Sequence, residues 1–204
     1  MPDFSREARA GGLVAGIDEA GRGPWAGPVV AAAVVFDRRP ARSLARLIDD
    51  SKVLRRDKRE TAFASLNTVA RLGVGIASVE EIDRLNILQA TFLAMRRALD
   101  ALGPLPVLAL VDGNALPVLP CPVQGLIGGD GLSLSIAAAS IVAKVTRDRM
   151  MTELAEVFPG YGWRTNVGYG TAEHRVGLAR LGPCRHHRTS FRPVREAAAC
   201  LPGF

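Results

Sequence analysis

The chain has 204 residues, with 26 basic against 20 acidic side chains, a formal net charge of +6 and an isoelectric point of about 9.9. With 48% hydrophobic and 23% charged residues it excludes a disordered chain, and its basic balance favours a polyanionic partner. The longest apolar run, Val29 to Phe36, falls far short of the about 18 residues that cross a bilayer, and the N-terminus MPDFSREARAGG lacks a signal-peptide core. A cytoplasmic protein is expected. Cys121, Cys184 and Cys200 form an odd set without a CxxC pair, which argues against a disulfide framework or a structural zinc site. Of the 26 basic residues, 23 are arginine. That excess suits phosphate recognition, and a compositional bias that also enriches alanine and glycine explains it equally well.

Residues 1–12 read as a frayed terminus, and residues 13–204 as one domain that includes a helical C-terminal part and a basic tail. Leu13 to Asp18 and Val29 to Phe36 have the apolar character and length of strands, separated by a Gly/Pro-rich loop. Residues 55–72 place Ala62, Phe63, Leu66, Val69 and Ala70 at helical spacing, and Gly73 to Val79 follows as a strand. From Asn86 to Leu102, Ile87, Ala90, Leu93, Ala94 and Ala98 line one helical face before Gly103-Pro104 ends it. Val107 to Val111 and Pro122 to Ile127 are short buried strands, each leading to an aspartate. Residues 133–158 predict a long helix whose small residues, Ala137 to Ser140 and Ala143, permit close approach to a sheet. Residues 171–181 predict a shorter one. Strands alternating with long helices give an α/β architecture with a partly parallel sheet.

Ligands of such sheets bind at the carboxyl ends of strands, where this sequence places Asp18, Glu19, Asp112 and Asp130. One aspartate at a strand end caps a turn and carries no functional meaning. Several brought together repel one another unless a hard divalent cation, Mg²⁺ or Mn²⁺, binds among them. An all-carboxylate metal site in a basic protein points to phosphoryl chemistry, which needs no covalent nucleophile; GxSxG, HExxH and P-loop motifs are absent. Gly21-Arg22-Gly23-Pro24-Trp25-Ala26 fits G-x-G-x-x-A, but Pro24 and Pro28 bracket it and a strand-like run follows where a dinucleotide-binding helix should start. Either the glycines let the backbone touch a ligand, with Arg22 near its phosphate, or the loop is only a tight turn.

The segments Gly16-Ile17-Asp18-Glu19-Ala20-Gly21-Arg22-Gly23-Pro24 and Ala26 to Ala32 resemble the opening signature of ribonuclease HII, the type 2 ribonuclease H family. Asp50-Ser51-Lys52, Ile82 to Thr91, Val111-Asp112-Gly113, SLSIAAASIVAKVTRDR from Ser133 to Arg149, and Gly168-Tyr169-Gly170-Thr171 follow in that family's order. The resemblance implies an RNase H-like fold, a mixed five-stranded sheet flanked by helices with a helical C-terminal part. It implies a monomeric endonuclease that cuts the RNA strand of RNA–DNA hybrids and nicks duplex DNA 5′ of an embedded ribonucleotide, leaving 3′-hydroxyl and 5′-phosphate ends. Asp18, Glu19, Asp112 and Asp130 match the family's catalytic carboxylates, which hold two Mn²⁺ or Mg²⁺ ions. Gly21, Arg22 and Gly23 match its sensor of the ribose 2′-hydroxyl, the group that distinguishes RNA from DNA. Tyr169 matches a tyrosine that packs at the ribonucleotide–deoxyribonucleotide junction. On the residues alone, Tyr169 is equally a half-buried aromatic beside a glycine turn. A catalytically impaired nucleic-acid-binding module of the same fold is the alternative reading.

The sequence departs from the family pattern at Gly128, Leu132 and Val167, where charged residues are common, so weaker substrate binding with a shallow salt dependence is expected. Lys52 is a candidate phosphate contact or a solvated lysine. Lys144 and Arg147 lie three apart on the long helix and are expected to face nucleic acid, with Arg149 about 200° away from Arg147. The tail Arg185 to Pro193 interleaves cations with Phe191, which suits either nucleic-acid contact or a solvated surface. His174, His186 and His187 have no metal-ligand spacing with cysteine, and Cys121 reads as an inert packed thiol.

Overall fold

The computed structural model describes residues 2–48 and 54–199. Five strands, β1 (Val14–Ala20), β2 (Val29–Val35), β3 (Arg71–Ala77), β4 (Leu108–Asp112) and β5 (Val123–Leu126), form one mixed sheet in the order β3-β2-β1-β4-β5. β1, β2 and β3 are an antiparallel meander, whereas β4 pairs parallel with β1 and β5 parallel with β4. Every residue of β2 is buried, as a run of Val and Ala with helices on both faces demands.

One face of the sheet packs against α5 (Ile87–Asp100), with Ile17, Ala31, Met95 and Leu99 in its core. Gly73 and Gly75 let it come close, since a Cβ on either would lie 2.0 Å from an α5 carbonyl oxygen. The other face carries α3 (Arg56–Val69) and the 24-residue α6 (Leu134–Val157), whose first half is buried on all sides. Here Gly16 plays the corresponding part, its absent Cβ leaving room for the backbone of Ser135 and Ile136. These elements match the expected ones to within two residues at each end, an ordinary uncertainty of helix and strand limits, except that α3 stops at Val69, three residues short of 72, because β3 already begins at Arg71.

Shorter helices surround this frame: α1 (Ser5–Arg9), α2 (Arg42–Leu47), α4 (Val79–Leu85), α7 (Trp163–Asn166), α8 (Ala172–Leu181) and α9 (Arg192–Ala199). The expectation of a frayed N-terminus is corrected by α1. Glu7 is buried there, and its Oε1 accepts hydrogen bonds from Ser133 Oγ at 2.7 Å, Ser135 N at 2.9 Å and Ser135 Oγ at 2.7 Å. The first residues therefore close the N-terminal end of α6. Between α4 and α5, Asn86 holds φ 71 and its side chain caps α5 by accepting from Leu88 N and Gln89 N.

Candidate active site

β1 and β4 run parallel with Ile17 opposite Val111, so the next residues, Asp18 and Asp112, stand side by side at the carboxyl ends of neighbouring strands. β5 then leads through Gly128, which takes the left-handed conformation at φ 65, into a 3₁₀ turn at Gly129–Gly131. That turn folds back on β4, the Gly129 amide donating to Asp112 Oδ1 at 2.7 Å, and presents Asp130. One carboxylate oxygen from each of Asp18, Asp112 and Asp130 lies within 4.8 Å of the others. The left-handed turn gives a local reason for glycine at position 128.

Asp18 is buried, accepting from the Glu19 amide at 2.7 Å. Burial, together with the nearby charges of Glu19 and Asp112, pushes its carboxyl well above the ordinary range, against the Glu19 amide and the Ser140 hydroxyl on α6, which favour the charged form. Three crowded carboxylates offering only hard oxygen donors fit a divalent cation of the Mg²⁺ or Mn²⁺ kind, whose charge relieves their mutual repulsion. Glu19, next along the strand, lines the same cleft while its Oε1 meets Arg22 Nη1 at 3.4 Å.

The cleft, about 240 Å³, is lined by Asp18, Glu19 and Asp112 together with Gly21, Arg22, Gly23, Ser140, Lys144, Arg147 and Tyr169. Of the sequence-derived candidates it gathers Asp18, Glu19, Asp112, Gly21 to Gly23, Lys144 and Tyr169, while Asp130 stands beside Asp18 and Asp112. Tyr169 is 46% exposed, and a Cβ on Gly23 would touch its ring at 3.5 Å, which places the ring beside the glycine loop. Lys144 reaches the cleft already paired with Asp148 at 2.7 Å. Arg149 turns away toward Glu60 and Phe63, as helical spacing requires. Lys52 lies outside the described residues.

Two arginines have roles that sequence reasoning did not find. Arg147, expected to face nucleic acid, is buried, and it donates to the carbonyls of Pro28 (2.9 Å), Ala26 (3.0 Å) and Val167 (2.9 Å). Arg188, read as part of a nucleic-acid-binding or solvated tail, is buried as well. It donates to the carbonyls of Gly21 (2.6 Å), Gly27 (2.9 Å), Arg22 (3.0 Å) and Pro28 (3.2 Å). Burial pulls Arg147 down to about 10 and Arg188 down to about 9, so both stay charged at neutral pH. The glycine loop is thus hung by its carbonyls from two guanidiniums whose five-donor forks match such a set of acceptors. Gly21 permits this: at φ 99, a Cβ there would lie 2.0 Å from Arg147 Nε. The same arginine fixes Val167, a β-branched residue held in the left-handed region at φ 43, just before Gly168-Tyr169. Elsewhere in that tail Thr189 and Ser190 donate from amide and hydroxyl to Asp83, while Arg185 and Arg192 stay exposed.

A mixed five-stranded sheet of this order, with carboxylates gathered at the ends of its parallel strands, defines an RNase H-like nuclease. The family model for ribonuclease HII matches residues 15–194. The ribonuclease HII of Paramagnetospirillum magneticum is 61% identical over 199 residues, covering 96% of this chain and 98% of its own length. That of Rhodospirillum rubrum is 62% identical over 209 residues, covering 100% and 95%. The solved structure of ribonuclease H2 from Pyrococcus horikoshii OT3 is similar with a TM-score of 0.78 at 26% identity, covering 92% of this chain and 97% of that one. The chain belongs to the ribonuclease HII family, and it is an endoribonuclease with ribonuclease H activity.

Proposed function

We propose that the protein nicks duplex DNA on the 5′ side of embedded ribonucleotides and cuts the RNA strand of RNA–DNA hybrids, leaving 3′-hydroxyl and 5′-phosphate ends. Asp18, Glu19, Asp112 and Asp130 are the residues that hold the divalent metal. Bound Mn²⁺ or Mg²⁺ supplies Lewis-acid activation of water and neutralises charge developing at the scissile phosphate. The chain itself mainly positions: the amide of Gly129 orients Asp112, and the Ser140 hydroxyl with the Glu19 amide orients Asp18. Gly21, Arg22 and Gly23 read the ribose 2′-hydroxyl through backbone groups, which is why the loop's carbonyls and amides must be held fixed. Tyr169 packs against the sugar at the ribonucleotide junction, and Arg22, Lys144 and Lys52 contact phosphates. No helix among the described residues is long and apolar enough to cross a membrane.

The observation that carries this reading is the shared cleft, in which Asp18, Glu19 and Asp112, the glycine loop and Tyr169 lie together, with an Asp130 carboxylate oxygen within 4.8 Å of those of Asp18 and Asp112. It is tested on a labelled DNA duplex with one ribonucleotide, incubated with Mn²⁺, Mg²⁺ or chelator beside an all-DNA control. A metal-dependent nick 5′ of the ribonucleotide, with ends that a DNA ligase reseals, is the expected result. Binding without cleavage under every metal condition would replace this reading with that of a nucleic-acid-binding module.

A further inference from the structure

Beneath Tyr169, two histidines absent from the chemistry described above lie fully buried. His174 on α8 has its Nδ1 3.0 Å from the Tyr169 carbonyl and its Nε2 3.2 Å from Trp163 Nε1 and 3.1 Å from His187 Nε2. His187 in turn places Nδ1 3.0 Å from the backbone amide of Cys184. A carbonyl only accepts, and amide and indole N–H groups only donate, so these contacts assign every proton. His174 carries its hydrogen on Nδ1 and gives it to Tyr169. Its bare Nε2 accepts from Trp163 and from His187 Nε2–H, and the bare Nδ1 of His187 accepts from Cys184. The assignment made from the carbonyl end agrees with that made from the amide end.

We propose that His174 and His187 are positioning residues for ribonucleotide recognition, a one-way hydrogen-bond chain that sets the distance between Tyr169 and the glycine loop. The proposal rests on the reading of Tyr169 and Gly21 to Gly23 as the recognition elements. At one end the chain fixes the Tyr169 carbonyl, and with it the half-exposed ring above. At the other end His187 is followed directly by Arg188, which holds the carbonyls of Gly21 and Arg22. The two walls of the cleft are therefore joined through a pair of neutral imidazoles. A second proton on either ring would set N–H against N–H, at Cys184 for His187 and at Trp163 and His187 for His174. Burial accordingly pushes His187 down to about 4, and His174 also downward.

A double-mutant cycle on the single-ribonucleotide duplex tests this. His174→Leu should lower kcat/KM about ten-fold, the worth of one buried hydrogen bond, while in a Tyr169→Ala background the same change should cost less than about two-fold, since its route to substrate is gone. His174→Asn, which keeps a donor near the Nδ1 position, should recover part of the loss. His187→Gln provides the same cycle should the leucine variant fail to fold, as judged by thermal unfolding. A full ten-fold loss persisting in the Tyr169→Ala background, or full activity in the single histidine variants, would overturn the proposal. Full activity of Tyr169→Ala alone would instead overturn the assignment of Tyr169.

Discussion

Arg188 donates from Nη2 to the carbonyl of Gly21 at 2.6 Å, although 167 positions separate the two residues. The loop next to the carboxylates is thereby fixed from the far end of the chain. Replacing Arg188 with lysine keeps the charge but leaves acceptors unmatched, because an ammonium cannot span four carbonyls as a planar fork does. Arg188→Lys should destabilise the protein by about 3 kcal/mol and lower kcat/KM more than it lowers the melting temperature would suggest. Thermal unfolding beside steady-state cleavage checks both parts.

The two glycines of the loop should behave differently. Gly21 has φ 99 and sits against Arg147, whereas Gly23 has only the Tyr169 ring within reach at 3.5 Å. Gly21→Ala is expected to lower stability by about 2 kcal/mol or more, from backbone strain and overpacking. Gly23→Ala should leave stability unchanged and weaken substrate, which melting curves and binding titrations would separate.

His187 gives the pH dependence a definite sign. Its ring titrates near 6.5 when unfolded and at about 4 when folded, so between these values the unfolded chain binds a proton that the folded chain does not. Stability therefore rises with pH across that window and is lost as pH falls through it, by up to about 3 kcal/mol. Denaturant melts of His187→Gln should show a flatter profile between pH 6.5 and 4 than the parent protein. Below about pH 4 both should decline together as Glu81, held down to about 2 by its Arg97 partner, takes up its proton.

Most of the frame was legible because each strand is an apolar run of strand length and α3, α5 and α6 show helical periodicity or small-residue faces. The carboxylates were legible for a related reason: an aspartate at the end of a buried strand has few places to go other than the sheet's edge. What stayed hidden was everything that depends on long-range contact. A run such as His186-His187-Arg188 says nothing about whether its donors meet phosphates or carbonyls. The basic residues of α6 likewise gave no sign that Arg147 faces inward beneath a loop more than a hundred residues earlier. A local signal was also available for α4, where Ser78 and Glu81 form a reciprocal capping box. The short polar α1 offered only Asp3, whose Oδ1 accepts from the Ser5 amide, and it is the long-range bonds of Glu7 to Ser133 and Ser135 that tie it down.

Glu7 is the residue that ties α1 to those serines. Its Oε1 accepts three hydrogen bonds inside the protein, two of them from Ser135, close in sequence to Asp130. Glu7→Ala should cost about 2 to 3 kcal/mol by leaving the two serine hydroxyls and an amide without their acceptor, while Glu7→Gln, which keeps one acceptor oxygen, should cost less. Chemical denaturation of the two variants gives the comparison.

A catalytic metal held by the carboxylates gathered around Asp18 makes binding and cleavage inseparable. The most direct measurement is calorimetric titration of Mn²⁺ into the protein and into its Asp18→Asn and Asp112→Asn variants, with cleavage of a hybrid duplex followed on the same samples. Both variants should stay folded, lose at least about a hundred-fold in metal affinity, beyond the loss typical of a residue that merely supports a ligand, and lose cleavage with it. Unchanged Mn²⁺ affinity with full cleavage in either variant would rule out Asp18 and Asp112 as the metal's ligands.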